Sequence, residues 1–182
     1  MVTVTVKQIT TAASDEELLV ALANTGHDGT DELTDPQTFS AWWAAQPFAA
    51  DAVAGRPASR AGLDAVRATR RLVRDLALRH NGVEVRPEAG ALGLLPLRVV
   101  VEAEPGLAAD APDLASEVAG RAALALLRAS ARPGWSRLRA CPGPDCEWVF
   151  VDRSRNGSRR WCQMSECGNR AKAAAFRARS AR

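Results

Sequence analysis

The stretch from Cys141 to Cys167, CPGPDCEWVFVDRSRNGSRRWCQMSEC, contains all four cysteines of the chain. They form two pairs with the same C-x₄-C spacing, Cys141 with Cys146 and Cys162 with Cys167, and fifteen residues separate the pairs. Four thiolates are enough to close a tetrahedral Zn²⁺ shell, with Zn–S distances of about 2.3 Å. Because a closed shell leaves no position for water, the pattern predicts a structural Zn²⁺ site rather than a catalytic one.

The cysteine pattern alone is also compatible with two disulfides, four free thiols or an iron–sulfur cluster. The first residues, MVTVTVKQITTAASDEE, lack the charged-then-apolar pattern of a signal peptide, and no apolar run approaches the length of a membrane span. We therefore expect a cytoplasmic protein with no membrane partner. In a reducing compartment, clustered cysteines favour a metal over disulfides, and iron–sulfur ligation usually has different spacing.

The residues between and after the cysteine pairs predict a small folded module. Residues 148–151 predict a strand, Asn156-Gly157 a tight turn and residues 159–161 a returning strand. The run RAKAAAFRAR then predicts a helix, which places Cys167 near a helix N-terminus that favours a thiolate. Knuckle, hairpin and helix in this order predict a treble-clef-like zinc module. Since about fifty residues bury little core, the metal would supply folding free energy.

The run from Trp148 to Arg179 resembles the CGNR zinc-finger family, which is named for the tetrad that stands here as residues 167–170. The resemblance includes the string W-x-F-x-D-x-S-R-N at 148–156 and the string R-R-W-C-x-M at 159–164. It implies a four-cysteine zinc site and a DNA-binding role that rests on basic residues.

The charge distribution separates the two ends of the chain. Residues 132–182 hold 12 Lys and Arg against 4 Asp and Glu, whereas residues 1–131 hold 12 against 17. Zn²⁺ with four thiolates adds a charge of about −2, so the basic surplus survives metal binding. Basic residues grouped on one rigid module are the electrostatic footprint of a phosphate-binding surface. The predicted nucleic-acid contacts are Arg153, Arg155, Arg159, Arg160, Arg170, Lys172, Arg177 and Arg179.

Other interpretations of the same residues remain open. Arginine is the general solubilising cation of this chain, since 22 of its 24 basic residues are Arg, and the basic module could instead dock on the acidic N-terminal part. A protein or RNA partner is the alternative to DNA. Arg170 could hydrogen-bond carbonyls of the first cysteine knuckle. Trp148, Phe150 and Trp161 could stack on bases, although aromatic residues beside a zinc site more often form its small core.

The N-terminal part is predicted to be α+β, with a small antiparallel sheet and several helices. The strands are predicted at 2–9, 83–86 and 97–104, and the helices at 15–24, from Asp35-Pro36 to Pro47, at 57–80 and at 110–131. Pro133-Gly134 marks the predicted boundary between a domain at 1–132 and a zinc module at 133–182.

Three short motifs in this part resemble the ABATE domain, which is described as a stress-induced transcription regulator. They are LLVALANT ending at Thr25, the D-x-L string at 31–33 and the helix containing Trp42-Trp43. The resemblance implies a regulator, and we expect this domain to sense a small-molecule effector or to mediate assembly, for example as a homodimer. Because adjacent helical residues point about 100° apart, the two tryptophans cannot both face one core.

The Gly-containing loop after Thr25 holds acid and base types together, at His27, Asp28, Asp31 and Asp35. Such polar loops are usually solvated turns. The chain contains no G-x-S-x-G, P-loop, G-x-G-x-x-G or H-E-x-x-H motif. We therefore expect a binding protein rather than an enzyme.

Overall fold

The computed structural model describes residues 12–27, 29–49, 55–86, 97–101, 105–109 and 111–180. Within these ranges the helices and strands confirm a mixed α and β architecture. None of the described helices is both long and apolar enough to cross a membrane. The helices are Ala12–Ala23 (α1), Pro36–Ala44 (α2), Arg60–His80 (α3), Leu114–Ser130 (α4) and Asn169–Ser180 (α5). The strands are Leu97–Val101 (β1), Pro105–Ala109 (β2), Leu138–Ala140 (β3) and Val149–Val151 (β4).

Side-chain caps set the beginnings of three helices. Asp35 accepts hydrogen bonds from the backbone N–H groups of the first turn of α2, as its position before Pro36 predicts. Ser59 caps α3, so this helix begins three residues after the predicted Pro57. Asp113 caps α4 and likewise moves its start beyond the predicted residue 110. Polar side chains that can satisfy free N–H groups therefore decide where these helices begin.

Helices α1, α3 and α4 pack together and form the main core. Leu19, Leu22, Val66, Val73 and Val118 are fully buried in it. We call the described residues from 12 to 131 the body and residues 133–180 the C-terminal module.

The helix α3 packs tightly at Gly62 against the beginning of α4. A Cβ atom built there would lie 2.6 Å from Asp113 Oδ1 and 2.7 Å from the backbone nitrogen of Ser116. The approach therefore requires glycine, because Cβ atoms in folded proteins do not come this close to other heavy atoms.

The strands of the body differ from the prediction. Strand β1 confirms the first part of the predicted strand 97–104, but it pairs antiparallel with β2, which the sequence pattern did not select. Residues 83–86 form no strand, so that prediction is wrong. Val83 and Val85 instead pack as half-buried residues against the main core. The predicted strand 2–9 lies outside the described residues.

The main core continues across Pro133-Gly134 into the C-terminal module. Leu138, Ala140 and Val149 are buried in the same apolar cluster as the helices of the body. The side chain of Asn24 donates to the carbonyl oxygen of Val149 at 2.9 Å and accepts from its N–H at 2.8 Å. Asn81 Nδ2 donates to the carbonyl oxygen of Ala140 at 2.8 Å. The module is thus packed and hydrogen-bonded onto the body; the domain boundary at 132/133 stays a prediction.

Candidate metal centre

The four cysteine Sγ atoms meet in one cluster. All of them lie within 4.8 Å of one another, and the Sγ atoms of Cys146 and Cys162 are 3.5 Å apart, those of Cys162 and Cys167 3.7 Å. A regular ZnS₄ tetrahedron with Zn–S bonds of about 2.3 Å has S···S edges of about 3.8 Å. A disulfide would bring two sulfurs to about 2.05 Å. The four cysteines are free thiols in the structure, and their spacing fits a single metal ion.

The first pair of cysteines stands on the turn between β3 and β4. Cys141 directly follows β3, and its N–H donates to the carbonyl oxygen of Trp148, which extends the strand pairing. Asp145 and Glu147, on either side of Cys146, have left-handed φ values of 59° and 50°. Such angles are uncommon outside glycine and occur where a fixed site imposes them. They turn Cys146 back toward the other three cysteines.

The same turn needs a residue without a side chain at Gly143. A Cβ atom there would lie 3.2 Å from Cys167 Sγ and 3.5 Å from Cys141 Sγ. The glycine therefore allows the backbone of the first knuckle to pass directly over the sulfurs.

The second pair stands on a wide helical turn, Met164–Gly168, that leads directly into α5. Cys167 is buried near the end of this turn. It lies two residues before α5 begins, so its predicted position near a helix N-terminus is confirmed. The Arg170 guanidinium donates to Cys167 Sγ at 3.0 Å. The structure thus places this side chain on a sulfur rather than on a carbonyl of the first knuckle.

The environments of the thiols differ within the cluster. Burial raises the pKa of the Cys146 thiol to about 11 and also raises that of Cys162. Burial acts in the same direction on Cys167, but the hydrogen bond from Arg170, together with those from the other cysteines, outweighs it and lowers the pKa. A metal ion deprotonates such thiols outright, and a hydrogen bond that already favours the thiolate supports a ligand in that state.

A small aromatic core surrounds the cysteines. Phe150 is buried against Cys141 and Cys167, and Trp148 and Trp161 pack half-buried beside them. This confirms the core interpretation of the three aromatic residues.

The first strand of the predicted hairpin, β4, does not pair with the predicted second strand. Strand β4 pairs with β3, not with residues 159–161, which form no strand. That part of the prediction is wrong because the carboxylate of Asp152 organises the intervening residues as a loop. Asp152 accepts from the N–H groups of Ser154 and Arg159 at 2.9 Å each, and it faces Arg139 at 3.3 Å. The hydrogen bonds to this fully buried carboxylate outweigh the effect of burial and lower its pKa.

The predicted nucleic-acid contacts divide into two groups. Arg159 and Arg170 are engaged: the Arg159 guanidinium lies 4.4 Å from the Phe150 ring centroid and donates to the carbonyl oxygens of Trp161 and Cys162. The remaining six side chains are exposed and have no hydrogen-bond or ion-pair partner within the described residues. They are Arg153, Arg155, Arg160, Lys172, Arg177 and Arg179.

Sequence reasoning missed two residues that hold this part of the module together. Arg137 Nη1 donates to the carbonyl oxygens of Asp152 and Ser154 at 2.9 and 2.7 Å, and Arg139 Nη1 donates to that of Arg159 at 3.0 Å. No local signal distinguishes these two arginines from the exposed ones, since their partners are 15 to 20 residues away.

The described acid and base residues of the loop after Thr25 all make structural contacts. The His27 ring packs edge-on against Trp148, with centroids 4.7 Å apart. Asp31 forms an ion pair with Arg70 at 2.7 Å, and the hydrogen bond from Arg70 lowers the pKa of this carboxyl. Asp35 caps α2, while Asp28 lies outside the described residues. The loop thereby anchors α2, α3 and the module.

The tryptophan pair divides as predicted. Trp43 is buried at 3% exposure, whereas Trp42 is only half-buried. Arg121 lies over the Trp43 ring, 5.5 Å from its centroid, so this residue belongs to the packing between α2 and α4.

Residues 137–180 match the model of a known family, the CGNR zinc finger. The match spans both cysteine pairs, β3, β4 and α5. No curated protein matches the chain. The family match and the cluster of four cysteines together point to a metal-binding module in this segment.

Proposed function

We propose that this chain is a DNA-binding transcription regulator whose C-terminal module is folded around one Zn²⁺ ion. The observation that carries the proposal is a group of six exposed cations on the module that have no hydrogen-bond or ion-pair partner in the part of the chain that the structure describes. They are Arg153, Arg155, Arg160, Lys172, Arg177 and Arg179.

Zinc is the metal that best suits the donor set. Cys141, Cys146, Cys162 and Cys167 would hold it through four thiolates, with no open position for water or substrate. The ion would join the turn between β3 and β4 to the turn that starts α5. In this proposal the module is a treble-clef-like support for the basic residues, and binding DNA rather than catalysis is its activity.

The division of the arginines supports a polyanion as the partner. Arg139, Arg159 and Arg170 are held by groups of the module itself, so the remaining cations are those left for a ligand. Three of them, Arg153, Arg155 and Arg160, lie on the loop between β4 and the second cysteine pair. Exposed guanidinium groups form bidentate bonds with phosphate oxygens, which suits them to a nucleic-acid backbone.

Docking of the basic side chains on the acidic body is less well supported. The contact between the two parts uses the amides of Asn24 and Asn81 and an ion pair of Arg74 with Glu147 at 3.9 Å. In that pair the cation belongs to the body, not to the module. We propose that the body fixes the orientation of the module and, by its resemblance to ABATE domains, senses a stress-related effector or mediates assembly.

The test is the salt dependence of binding to a 25-base-pair duplex. For each phosphate contact, log K falls against log salt concentration with a slope of about −0.9. The double variant Arg155→Ala, Arg160→Ala should therefore flatten the slope by about 1.8. The matched control is Arg71→Ala, Arg79→Ala, which removes the same charge from exposed positions of α3 and should leave the slope unchanged. Equal slopes for both variants would overturn the role given to these cations, and no binding by zinc-loaded protein at low salt would favour a protein or RNA partner.

A further inference from the structure

Helix α5 projects from the molecule with nearly its whole circumference in water. Every residue from Lys172 to Ser180 is exposed, and Ala171 is half-buried. No residue of this helix is buried, whereas each of α2, α3 and α4 buries at least two. A helix of 12 residues is marginally stable alone in water, so contact with a partner would add to its stability.

One side of this helix carries an exposed aromatic ring between two cations. Lys172, Phe176 and Arg179 have the spacing i, i+4, i+7, which places them on the same helical face. Phe176 is 64% exposed, more than any other large hydrophobic residue among those described. Arg170 and Arg177 lie on a different face, the one that Arg170 turns toward Cys167. We call the first set the reading face.

We propose that α5 enters the major groove of duplex DNA with its reading face toward the bases, and that the Phe176 ring contacts the C5-methyl groups of thymine. Lys172 and Arg179 flank the ring and contact phosphates or purine edges. This inference rests on the proposed DNA-binding function and names the structural element and the base feature that it reads.

The charge and the shape of α5 both favour duplex DNA as its partner. Helix α5, NRAKAAAFRARS, contains four cations and no acidic residue, so it complements a polyanion along its whole length. An α-helix with its side chains is about 10–12 Å across, and the major groove is about 12 Å wide. The alanines keep α5 at the narrow end of that range. Phenylalanine is one of the side chains that contact the thymine methyl group in this groove.

The rest of the module suits this placement. Arg155 and Arg160 are exposed on the loop that precedes the second cysteine pair, where phosphates on the groove walls would set the position of the helix. The hydrogen bond from Arg170 to Cys167 joins the first turn of α5 to the cysteine cluster and therefore fixes the direction of the helix.

The experiment compares two duplexes that differ only in the methyl group. One is a 24-base-pair duplex of alternating dA and dT, and the other has deoxyuridine at every dT. Zinc-loaded full-length protein is titrated with each at low salt by fluorescence anisotropy. Burying one methyl group contributes roughly a fourfold preference, so wild-type protein should bind the dT duplex at least about fourfold more tightly.

Variants of Phe176 identify the source of the preference. Phe176→Ala should reduce the dT to dU ratio to about 1, and Phe176→Leu should retain part of it. The matched control is Leu127→Ala, which removes an apolar side chain that is 54% exposed on α4. It should leave the ratio unchanged. Zinc content and far-ultraviolet circular dichroism confirm that each variant is folded.

The outcomes separate this inference from the function on which it rests. Salt-dependent binding with equal affinity for the two duplexes, or a preference that persists in Phe176→Ala, would overturn the reading face and leave DNA binding intact. Absence of binding to both duplexes at low salt would overturn both proposals.

Discussion

The body and the C-terminal module differ in what fills their interiors. The body buries aliphatic side chains from α1, α3 and α4, and Leu19, Leu22 and Val73 are fully buried there. Leu138, Ala140 and Val149 of the module join the apolar core of the body, and the rest of the module's interior consists of two buried cysteines and Phe150 with half-buried tryptophans around them. Apolar packing can stabilise the first, whereas the second has too little apolar area without a metal. One chain thus contains two different solutions to the problem of a stable interior.

Arginine use shows a second contrast. In the body, Arg70 and Arg74 donate to the carbonyl oxygen of Thr25, and Arg128 pairs with the buried Asp15 at 2.6 Å. In the module some arginines do the same, but six cations have no partner among the described residues. A count of arginines therefore does not separate structural side chains from those available to a ligand; their partners within the described residues do.

Loss of one cysteine should produce the largest difference between the two parts. Cys167→Ser removes a thiolate that Arg170 supports, and zinc binding free energy is folding free energy in such modules. We expect zinc content to fall well below one ion per chain and the amide protons of residues 138–151 to lose their protection. Elemental analysis and hydrogen exchange measure both effects.

The matched control is Ser165→Ala, which changes an exposed residue of the same turn. The prediction is wrong if Cys167→Ser retains a full zinc ion with unchanged protection, since the module interior would then not depend on the metal.

A comparison of two glycines should distinguish close packing in the body from looser packing in the module. Gly62→Ala places a Cβ atom 2.6 Å from Asp113 Oδ1, and overpacking of this kind costs about 1–3 kcal/mol of unfolding free energy. At Gly168 the added Cβ would meet Met164 Sδ, but Met164 is 48% exposed and can move away, and the contact outside Met164, Trp161 Cδ1, lies at 3.2 Å. Urea unfolding should show the larger loss for Gly62→Ala. Equal losses would contradict this prediction. They would mean that α3 and α4 can move apart at Gly62 as easily as the exposed Met164 side chain can rotate.

The junction between the two parts should depend on the Asn24 amide. Asn24→Asp keeps an acceptor for the N–H of Val149. It replaces the Nδ2 donor with a second oxygen, which then faces the carbonyl oxygen of Val149. Loss of this partly buried hydrogen bond, with two oxygens left facing each other, should lower the unfolding free energy by about 1 kcal/mol. Asn156→Asp makes the same chemical change in an exposed turn and should have little effect. If the two variants unfold at the same urea concentration, the amide does not join the parts.

Acid should have a smaller, specific effect on the body through Asp113. Burial raises the pKa of this carboxyl, but hydrogen bonds from Ser116 and Ser59 outweigh it and hold the pKa below its ordinary value. The ionised form therefore stabilises the fold at pH values above about 3.9, and this contribution is lost as the pH falls through the lower pKa of the folded state.

Urea midpoints followed at 222 nm from pH 5 to pH 2.5 measure that loss. Asp113→Asn should show a shallower decrease than wild type. Asp64→Asn is the control, because the Asp64 side chain is 73% exposed in a surface ion pair and should leave the curve unchanged. Parallel curves for wild type and Asp113→Asn would contradict the assignment.

Local signals explain which features the sequence could predict. The cap at Asp35, the end of the helix predicted at 57–80 and the two C-x₄-C pairs involve residues close together in the chain, and the structure contains all of them. The partner of β4 was not predictable in this way, because β3 is only three residues long, and the alternation of Leu138, Arg139 and Ala140 is too short to predict a strand.

The division of the arginines and the role of Asn24 were also beyond local reasoning. Asn24 and Val149 are separated by 125 residues, and only the packed structure brings them together. The same holds for Arg139 and the carbonyl oxygen of Arg159. Pattern reasoning identifies residue types that suit a role, whereas the partners of each side chain depend on the tertiary fold.

The contact of Asn24 with Val149 has a consequence for self-association. Val149 stands in β4, whose pairing to β3 uses one side of the strand and leaves the other side available to a strand from a second molecule. Because the Asn24 amide occupies both the N–H and the carbonyl oxygen of Val149, it acts in the manner of a neighbouring strand and closes that position. The body thereby protects this position of β4 from edge-to-edge pairing with a second molecule.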